Sequence, residues 1–476
     1  MNGFKSISVI FIIMFTAVFN ALGQYDISFD IKNLKDDTIL MGYYHMGATL
    51  ALDTAVNNKG KIRFKNKNKT LDDGIYFITN RKGKNCEFLI YKDQNLSFKT
   101  SDDNWVDNLE VKGSKNEALY VEYLKQSNKL GEQYRELLRG RDTVSKQEYD
   151  SQLKIFSVKN DSLHEDFIKK YPDHLLSKIL MCAKPLEIPD FPVIYADDGS
   201  VDSLQMCKDG FCWYKKHYFD NVDFAYSGVM NTNKQVFADN YNYYWDTVMM
   251  YEKADSILYY ADFLISKATD KKMADFLIFD ITKRYLQDGI MGHDKVYVGM
   301  VDRYFKTGKY QAMAVSDIER NIMRADVWRN LLIGQQVPDL ACPQSDSVSA
   351  WHHLDEIKNK YKILIFWSVD CSHCTKEIPQ IAEFYKQYKK TYDLEVFAVH
   401  TDGKLQERDE FLTKYGIDWI NVNGLFANYD WRSYFDIDKT PVIYILNADD
   451  EILAKNVSYG NLKQVMDILE KGGFNL

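Results

Sequence analysis

The apolar residues of this chain change their period twice, and those changes set its architecture. From Tyr25 to Lys112 the period is two: Ile27, Phe29 and Ile31 alternate with polar residues, and Ile62 and Phe64 follow a turn at Asn58-Lys59-Gly60. The runs Gly74-Ile75-Tyr76-Phe77-Ile78 and Phe88-Leu89-Ile90-Tyr91 are bounded by Asp, Asn, Gly and Lys. Strand side chains point to opposite faces in turn, so this alternation, broken by turn residues at short intervals, predicts an all-β sandwich domain over residues 24–112. Lys61, Arg63, Lys65, Lys67 and Lys69 take every second position. They read as a solvated strand face whose charge blocks pairing with other chains, rather than as a polyanion site.

At Ser114-Lys115-Asn116-Glu117 the period becomes helical. Ser followed three residues later by Glu is a capping box, in which each side chain serves a backbone N–H of the new helix. Ala254, Leu258, Ala261 and Ile265 then form one stripe, and Met273, Leu277, Ile281 and Tyr285 another. An α-helical domain over residues 113–333 follows, with the Pro- and Gly-containing stretch from Pro185 to Phe211 as long connections. Gly334, and after it Pro338-Asp339, stop the helical region. Beyond it the order becomes strand, helix, strand, helix, strand, strand, helix, an α/β domain over residues 334–476. A chain of 476 residues is long enough for several such cores.

Residues 1–23 carry Lys5, an apolar stretch from Val9 to Phe19, and then Ala21-Leu22-Gly23, and are expected to be a cleaved signal peptide, with a retained anchor as the alternative. The apolar run is shorter than the roughly 20 residues of a spanning helix. The rest of the chain is then expected in an oxidising compartment. The formal charge is −8 and both signs are interspersed, so nucleic acid is excluded as a partner. The chain has seven cysteines, an odd number that leaves at least one thiol unpaired within it. Cys86, Cys182, Cys207, Cys212 and Cys342 have no metal-ligand spacing with His. Cys207 and Cys212 flank Lys208-Asp209-Gly210-Phe211, a turn-like stretch that brings the two within bridging distance if it is a turn.

The remaining two cysteines carry the chemistry. Ile363-Leu364-Ile365-Phe366 is apolar on both faces, as a central strand covered on each side must be. After Trp367-Ser368-Val369-Asp370 comes Cys371-Ser372-His373-Cys374, and then a helical stripe of Ile378, Ile381, Tyr385 and Tyr388. Extended backward, the stripe buries Cys374 and leaves Cys371 at the helix N-terminus, where the helix dipole and free N–H groups favour a thiolate. Cys371 is then the attacking sulfur and Cys374 the resolving one. No second Cys or His pair lies at zinc spacing in this domain, so neither a metal nor another cofactor is expected. His373 favours the thiolate, and with it the reduced form, whereas Asp370 opposes it. Glu377 lies near enough to Cys374 along the helix to relay its proton, or is a solvated helix acid.

These residues resemble the thioredoxin superfamily, and more closely its periplasmic TlpA/ResA-like branch. Phe366-Trp367, Cys371-x-x-Cys374, Glu377 and Pro379 fit the run of that branch, and Gly334-x-x-x-Pro338-Asp339 is similar to its lead-in motif. The β-α-β stretch from Leu394 through Ile420 is similar to the insertion of the branch, and Thr440-Pro441 to the cis-Pro of the superfamily. The resemblance implies a cis bond at Pro441, which sequence alone would make trans. It also implies a backbone there that holds an extended client, and a functional Glu377. It further implies a periplasmic protein-disulfide oxidoreductase, a reductase by its branch, whose clients are disulfide-containing envelope proteins and whose reductant is a membrane thiol carrier. Ser372-His373 departs from the Pro common in reductases and resembles disulfide oxidases and isomerases, which leaves the direction open. Residues 24–333 resemble the uncharacterised modules that precede such domains in secreted proteins of Gram-negative bacteria. A peroxidase needs Pro and Thr where this chain has Leu364 and Ser368. The alternative from another class is an envelope protein- or peptide-binding module with an auxiliary redox domain.

Overall fold

The computed structural model describes residues 24–141, 144–198 and 200–474; the expected signal peptide lies outside the described residues. The chain divides into two compact units, one reaching to Trp245 and the other starting at Asp246.

In the first unit the two-fold pattern becomes eight strands: β1 (Tyr25–Lys32), β2 (Thr38–His45), β3 (Ala48–Val56), β4 (Lys61–Asn66), β5 (Gly74–Thr79), β6 (Asn85–Ile90), β7 (Asn95–Ser101) and β8 (Glu110–Lys112). They form two four-stranded sheets, in the orders β4-β1-β7-β8 and β3-β2-β5-β6. Ile27, Phe29, Ile31, Ile62, Phe64 and Phe98 of one sheet share a core with Ile39, Met41, Ile78, Phe88 and Ile90 of the other, the sandwich expected. The alternation places these side chains, because a strand with one buried face must put every second residue inward. On the outer face of edge strand β4, Arg63 and Lys65 both donate to Asp26 Oδ2, at 2.5 and 2.9 Å. The cation row is therefore partly an ion-pair network.

Helices α1 (Lys115–Arg139), α2 (Lys146–Lys170), α3 (Leu175–Cys182), α4 (Ser203–His217) and α5 (Ala238–Tyr243) complete this unit. Only half of the expected capping box forms. Glu117 N donates to Ser114 Oγ at 3.0 Å. The Glu117 carboxylate instead turns inward and accepts from Leu89 N of β6 at 2.8 Å, fully buried. Two expectations fail together at α4. The stretch to Phe211 is not connection throughout, since helix begins at Ser203, and Lys208-Asp209-Gly210-Phe211 is helical rather than a turn. Helix geometry sets residues five apart about 7.5 Å along the axis and about 140° around it. Cys207 and Cys212 are accordingly exposed, unbridged thiols.

In the second unit, α6 (Ala254–Lys267), α7 (Lys271–Gln287), α8 (Asp294–Met300) and α9 (Val315–Arg329) come first. Both expected stripes, from Ala254 to Ile265 and from Met273 to Tyr285, are buried. A hairpin of β9 (Ala341–Pro343) and β10 (Trp351–His353) leads to a five-stranded sheet. Its strands are β11 (Tyr361–Trp367), β12 (Leu394–His400), β13 (Ile420–Asn423), β14 (Val442–Asn447) and β15 (Ile452–Lys455), in the order β13-β12-β11-β14-β15. β11, β12 and β13 are parallel, whereas β14 runs antiparallel to β11 and to β15. The helices here are α10 (Cys374–Tyr392), α11 (Leu405–Tyr415), α12 (Trp431–Phe435) and α13 (Tyr459–Glu470). β11 is buried on both faces. Ile363, Ile365 and Trp367 pack with Ile378, Ile381 and Met466, while Leu364 and Phe366 pack with Trp431 and Phe435. Among the described residues no helix is long and apolar enough to cross a membrane.

Candidate active site

The C-terminal ends of parallel strands and the loops beyond them gather on one edge of such a sheet, where ligands of open α/β folds bind. Here that edge holds the loops after β11, β12 and β13, and the antiparallel β14 starts there, with Phe366 opposite Val442. Residues far apart in sequence thus meet. Cys371 follows β11 by four residues, and α10 begins at Cys374, so Cys371 lies just ahead of the helix. Its carbonyl accepts from Thr375 N at 3.0 Å, which places it as the residue the first helical bonds close upon.

Cys374 is fully buried and Cys371 partly exposed, both as free thiols. The Cys371 thiol donates to Thr440 O at 3.0 Å, and its sulfur accepts from Cys374 N at 3.2 Å. Burial pushes the Cys371 thiol up, but hydrogen bonds from the Cys374 and Thr440 side chains and from the backbone N–H groups of Cys374 and His373 outweigh it, so its pKa is lowered. Burial, with the bond to Cys371, pushes the Cys374 thiol up to about 12. The Thr440–Pro441 peptide bond is cis, and Thr440 O is the backbone group against Cys371.

The other candidate residues are placed as follows. The His373 side chain is exposed, and the contribution to Cys371 comes from its backbone N–H. Half-buried Glu377 accepts from Tyr459 N at 3.3 Å, at the start of α13. Its carboxylate is engaged there rather than among the groups that act on Cys374, which are Cys371, Thr440 and the Ser368 backbone. Two residues escaped the sequence reading. Asp402 accepts from the Ser368 hydroxyl, and Lys404 Nζ donates to Asp370 Oδ1 at 2.8 Å. Their position was the available signal, because both follow the apolar run of β12 on the edge that carries the cysteines. Asp339, His353 and Asp355 each bring one ligand atom within 4.8 Å of the others. His353 Nδ1 is already taken up by Asp339 Oδ2 at 2.7 Å.

A family model described as thioredoxin-like matches residues 359–452. The C-terminal domain is thioredoxin-like. Over 122 residues it is 26% identical to the thiol-disulfide oxidoreductase ResA of Oceanobacillus iheyensis, covering 25% of this chain and 62% of that one. Over 100 residues it is 26% identical to ResA of Bacillus subtilis, covering 21% and 54%. The chain thus spans less than two thirds of the length of these relatives. Among solved structures, a thioredoxin-like protein from Bacteroides caccae covers 60% of this chain and 99% of its own at 19% identity, with a TM-score of 0.46. A domain of a possible thiol-disulfide isomerase from Cytophaga hutchinsonii covers 29% and 94% at 29% identity, with a TM-score of 0.27. Residues 25–120 match a model described as a domain of unknown function.

Proposed function

We propose that this chain is a periplasmic thiol–disulfide oxidoreductase that reduces disulfides of envelope proteins through Cys371 and Cys374. One observation carries the reading: of two adjacent sulfurs, the accessible one has its pKa lowered and the buried one is pushed up to about 12. The thiolate is the nucleophile of exchange, so this asymmetry favours attack through Cys371. The Cys371 thiolate attacks one sulfur of a client disulfide. A mixed disulfide forms and the other client sulfur leaves as a thiolate. Cys374 then gives up its proton, attacks the Cys371 sulfur and releases the client's second thiolate. The client gains two electrons, and the Cys371–Cys374 disulfide is returned to dithiol by a membrane thiol carrier.

The proton of Cys374 needs an acceptor, and Glu377, three residues on along α10, is the carboxylate proposed for it, which requires that carboxylate to leave Tyr459 N. The backbone at Thr440 and Pro441 is proposed to hold an extended client, because Thr440 O lies against the attacking sulfur and is freed when Cys371 ionises. Backbone contacts of this kind accept many sequences, which suits a protein with many clients. His373 beside the pair favours the reduced state and sets how strong a reductant the protein is.

The full-length reduced protein is tested in an insulin-type reduction assay beside Cys371→Ser, and its reduction potential is measured. Known types span about −270 to −120 mV. Turnover lost in Cys371→Ser and a potential nearer the thioredoxin end support a reductase. A potential nearer −120 mV makes the protein an oxidase, and equal turnover in Cys371→Ser removes the site.

A further inference from the structure

The loop after β12 is fastened to the segment that leads into Cys371 by two side-chain bonds. The Ser368 hydroxyl donates to Asp402 Oδ2, and its oxygen accepts from Asp370 N at 3.0 Å. Lys404 Nζ donates to Asp370 Oδ1 at 2.8 Å. The fastening loop is itself braced, since Lys404 N donates to the other oxygen of Asp402 at 2.9 Å and Thr401 N donates to Trp367 O at 2.9 Å. Ser368 and Thr401 are buried, so the bonds they make form where water does not replace them, whereas the Lys404–Asp370 bond lies at the surface.

Charge around Cys371 gives the fastening a chemical meaning. The groups that act directly on its sulfur, Cys374, Thr440 and the His373 backbone, are uncharged, Asp370 is its neighbour along the chain, and the β12–α11 loop brings Lys404 onto Asp370. Asp370, the residue before Cys371, opposes a thiolate there if left alone. Lys404, 34 residues further on, covers that carboxylate, with Glu407 at 3.8 Å and Asp402 also acting on it. We propose that Lys404 is a positioning residue for the redox pair: by holding the Asp370 carboxylate it removes the charge that opposes the Cys371 thiolate, with the Asp402–Ser368 bond keeping the two loops in register. The inference rests on the reading of Cys371 as the attacking thiol. The side chains of Lys404 and Asp370 are 45% and 58% exposed, so the effect is modest and sensitive to salt.

The test is the pH dependence of iodoacetamide alkylation of Cys371 in the full-length reduced protein, with Cys207 and Cys212 replaced by Ser to silence the exposed thiols. Lys404→Met is expected to raise the midpoint and to slow alkylation below it by about two- to five-fold at low ionic strength. Lys404→Arg keeps the wild-type profile, adding Asp370→Asn to Lys404→Met restores it, and about 1 M salt erases the difference. A Lys404→Met profile equal to the wild type at low salt, or a loss that Asp370→Asn does not rescue, overturns the inference. A wild-type Cys371 that alkylates no faster than a free thiol and exchanges no disulfide overturns the proposed function as well. Normal wild-type exchange with an unaffected Lys404→Met variant overturns this inference alone.

Discussion

The backbone N–H of Cys374 donates to the sulfur of Cys371 at 3.2 Å, so the buried cysteine supplies a bond that stabilises the thiolate of the exposed one. Cys371→Ala is expected to abolish exchange. Cys374→Ala leaves the attacking thiol and its backbone donor in place and so accumulates client as a stable mixed disulfide, seen as a reducible adduct on a non-reducing gel. Equal trapping through Cys374 in the Cys371→Ala protein would reverse the two roles.

His373 acts on Cys371 through its backbone N–H, and its exposed side chain adds charge when protonated. His373→Pro removes both, so the thiolate and with it the reduced form lose stability and the reduction potential falls by tens of millivolts. For this two-electron couple about 30 mV corresponds to about 1.4 kcal/mol. His373→Gln removes only the ring and should fall less. A potential that is unchanged or higher in His373→Pro means that neither group controls the pair.

Cys86, Cys182, Cys342 and Cys374 are all buried, and burial pushes each thiol up to about 12. Unfolded thiols ionise near pH 8.5. Above that pH the folded chain keeps protons that the unfolded chain releases, so the reduced protein loses stability as pH rises toward 12. Cys371, with its lowered pKa, acts oppositely below about pH 8.5, adding stability as pH rises through its folded value. Urea unfolding of the reduced protein between pH 7 and 10 reads the combined sign. In the same samples Cys207 and Cys212 should react with a maleimide without denaturant and the three structural thiols should not. Stability that keeps rising above pH 9 contradicts the burial of these groups.

Burial raises the Glu117 carboxyl well above its usual range, against the Leu89 N–H that lowers it, and Oε1 has no partner. An acid with a raised folded pKa contributes stability below its unfolded pKa of about 4.3 and loses it as pH climbs toward the folded value. Glu117→Gln is expected to flatten that decline between pH 5 and 8, leaving the shares due to Glu87 and Asp450, whose carboxyls burial also raises. Glu117→Ala orphans Leu89 N and costs about 1–3 kcal/mol at any pH. Urea midpoints at the two pH values check both, and a slope unaltered in Glu117→Gln refutes the titration.

The sequence made legible what depends on repetition. Ile27, Phe29 and Ile31 declare a strand face three times over, and Ile378, Ile381 and Tyr385 declare the helix stripe that buries Cys374. Single residues decided by tertiary contact were not legible. Gly210 reads as a turn and is helical, because neighbours on α4 outweigh a local preference of about 1 kcal/mol. Glu117 reads as a cap and is drawn inward by the Leu89 N–H of β6. β9, β10 and α12 are three to five residues long, too short to show a period. Lys404 pairs with Asp370 across 34 residues, a relation that spacing does not express.

The reversed direction of β14 has an evolutionary corollary. Cys371 and Thr440 are 69 residues apart and touch because the end of one strand lies beside the beginning of its neighbour. That meeting depends on the pairing of β11 with β14 and not on the length of chain between them. The β12–α11–β13 stretch sits on the far side of β11 from β14. Apart from Asp402 and Lys404, which tie it to the segment before Cys371, it is therefore free to grow, shrink or change its surface by natural variation while Cys371 and Thr440 keep their distance.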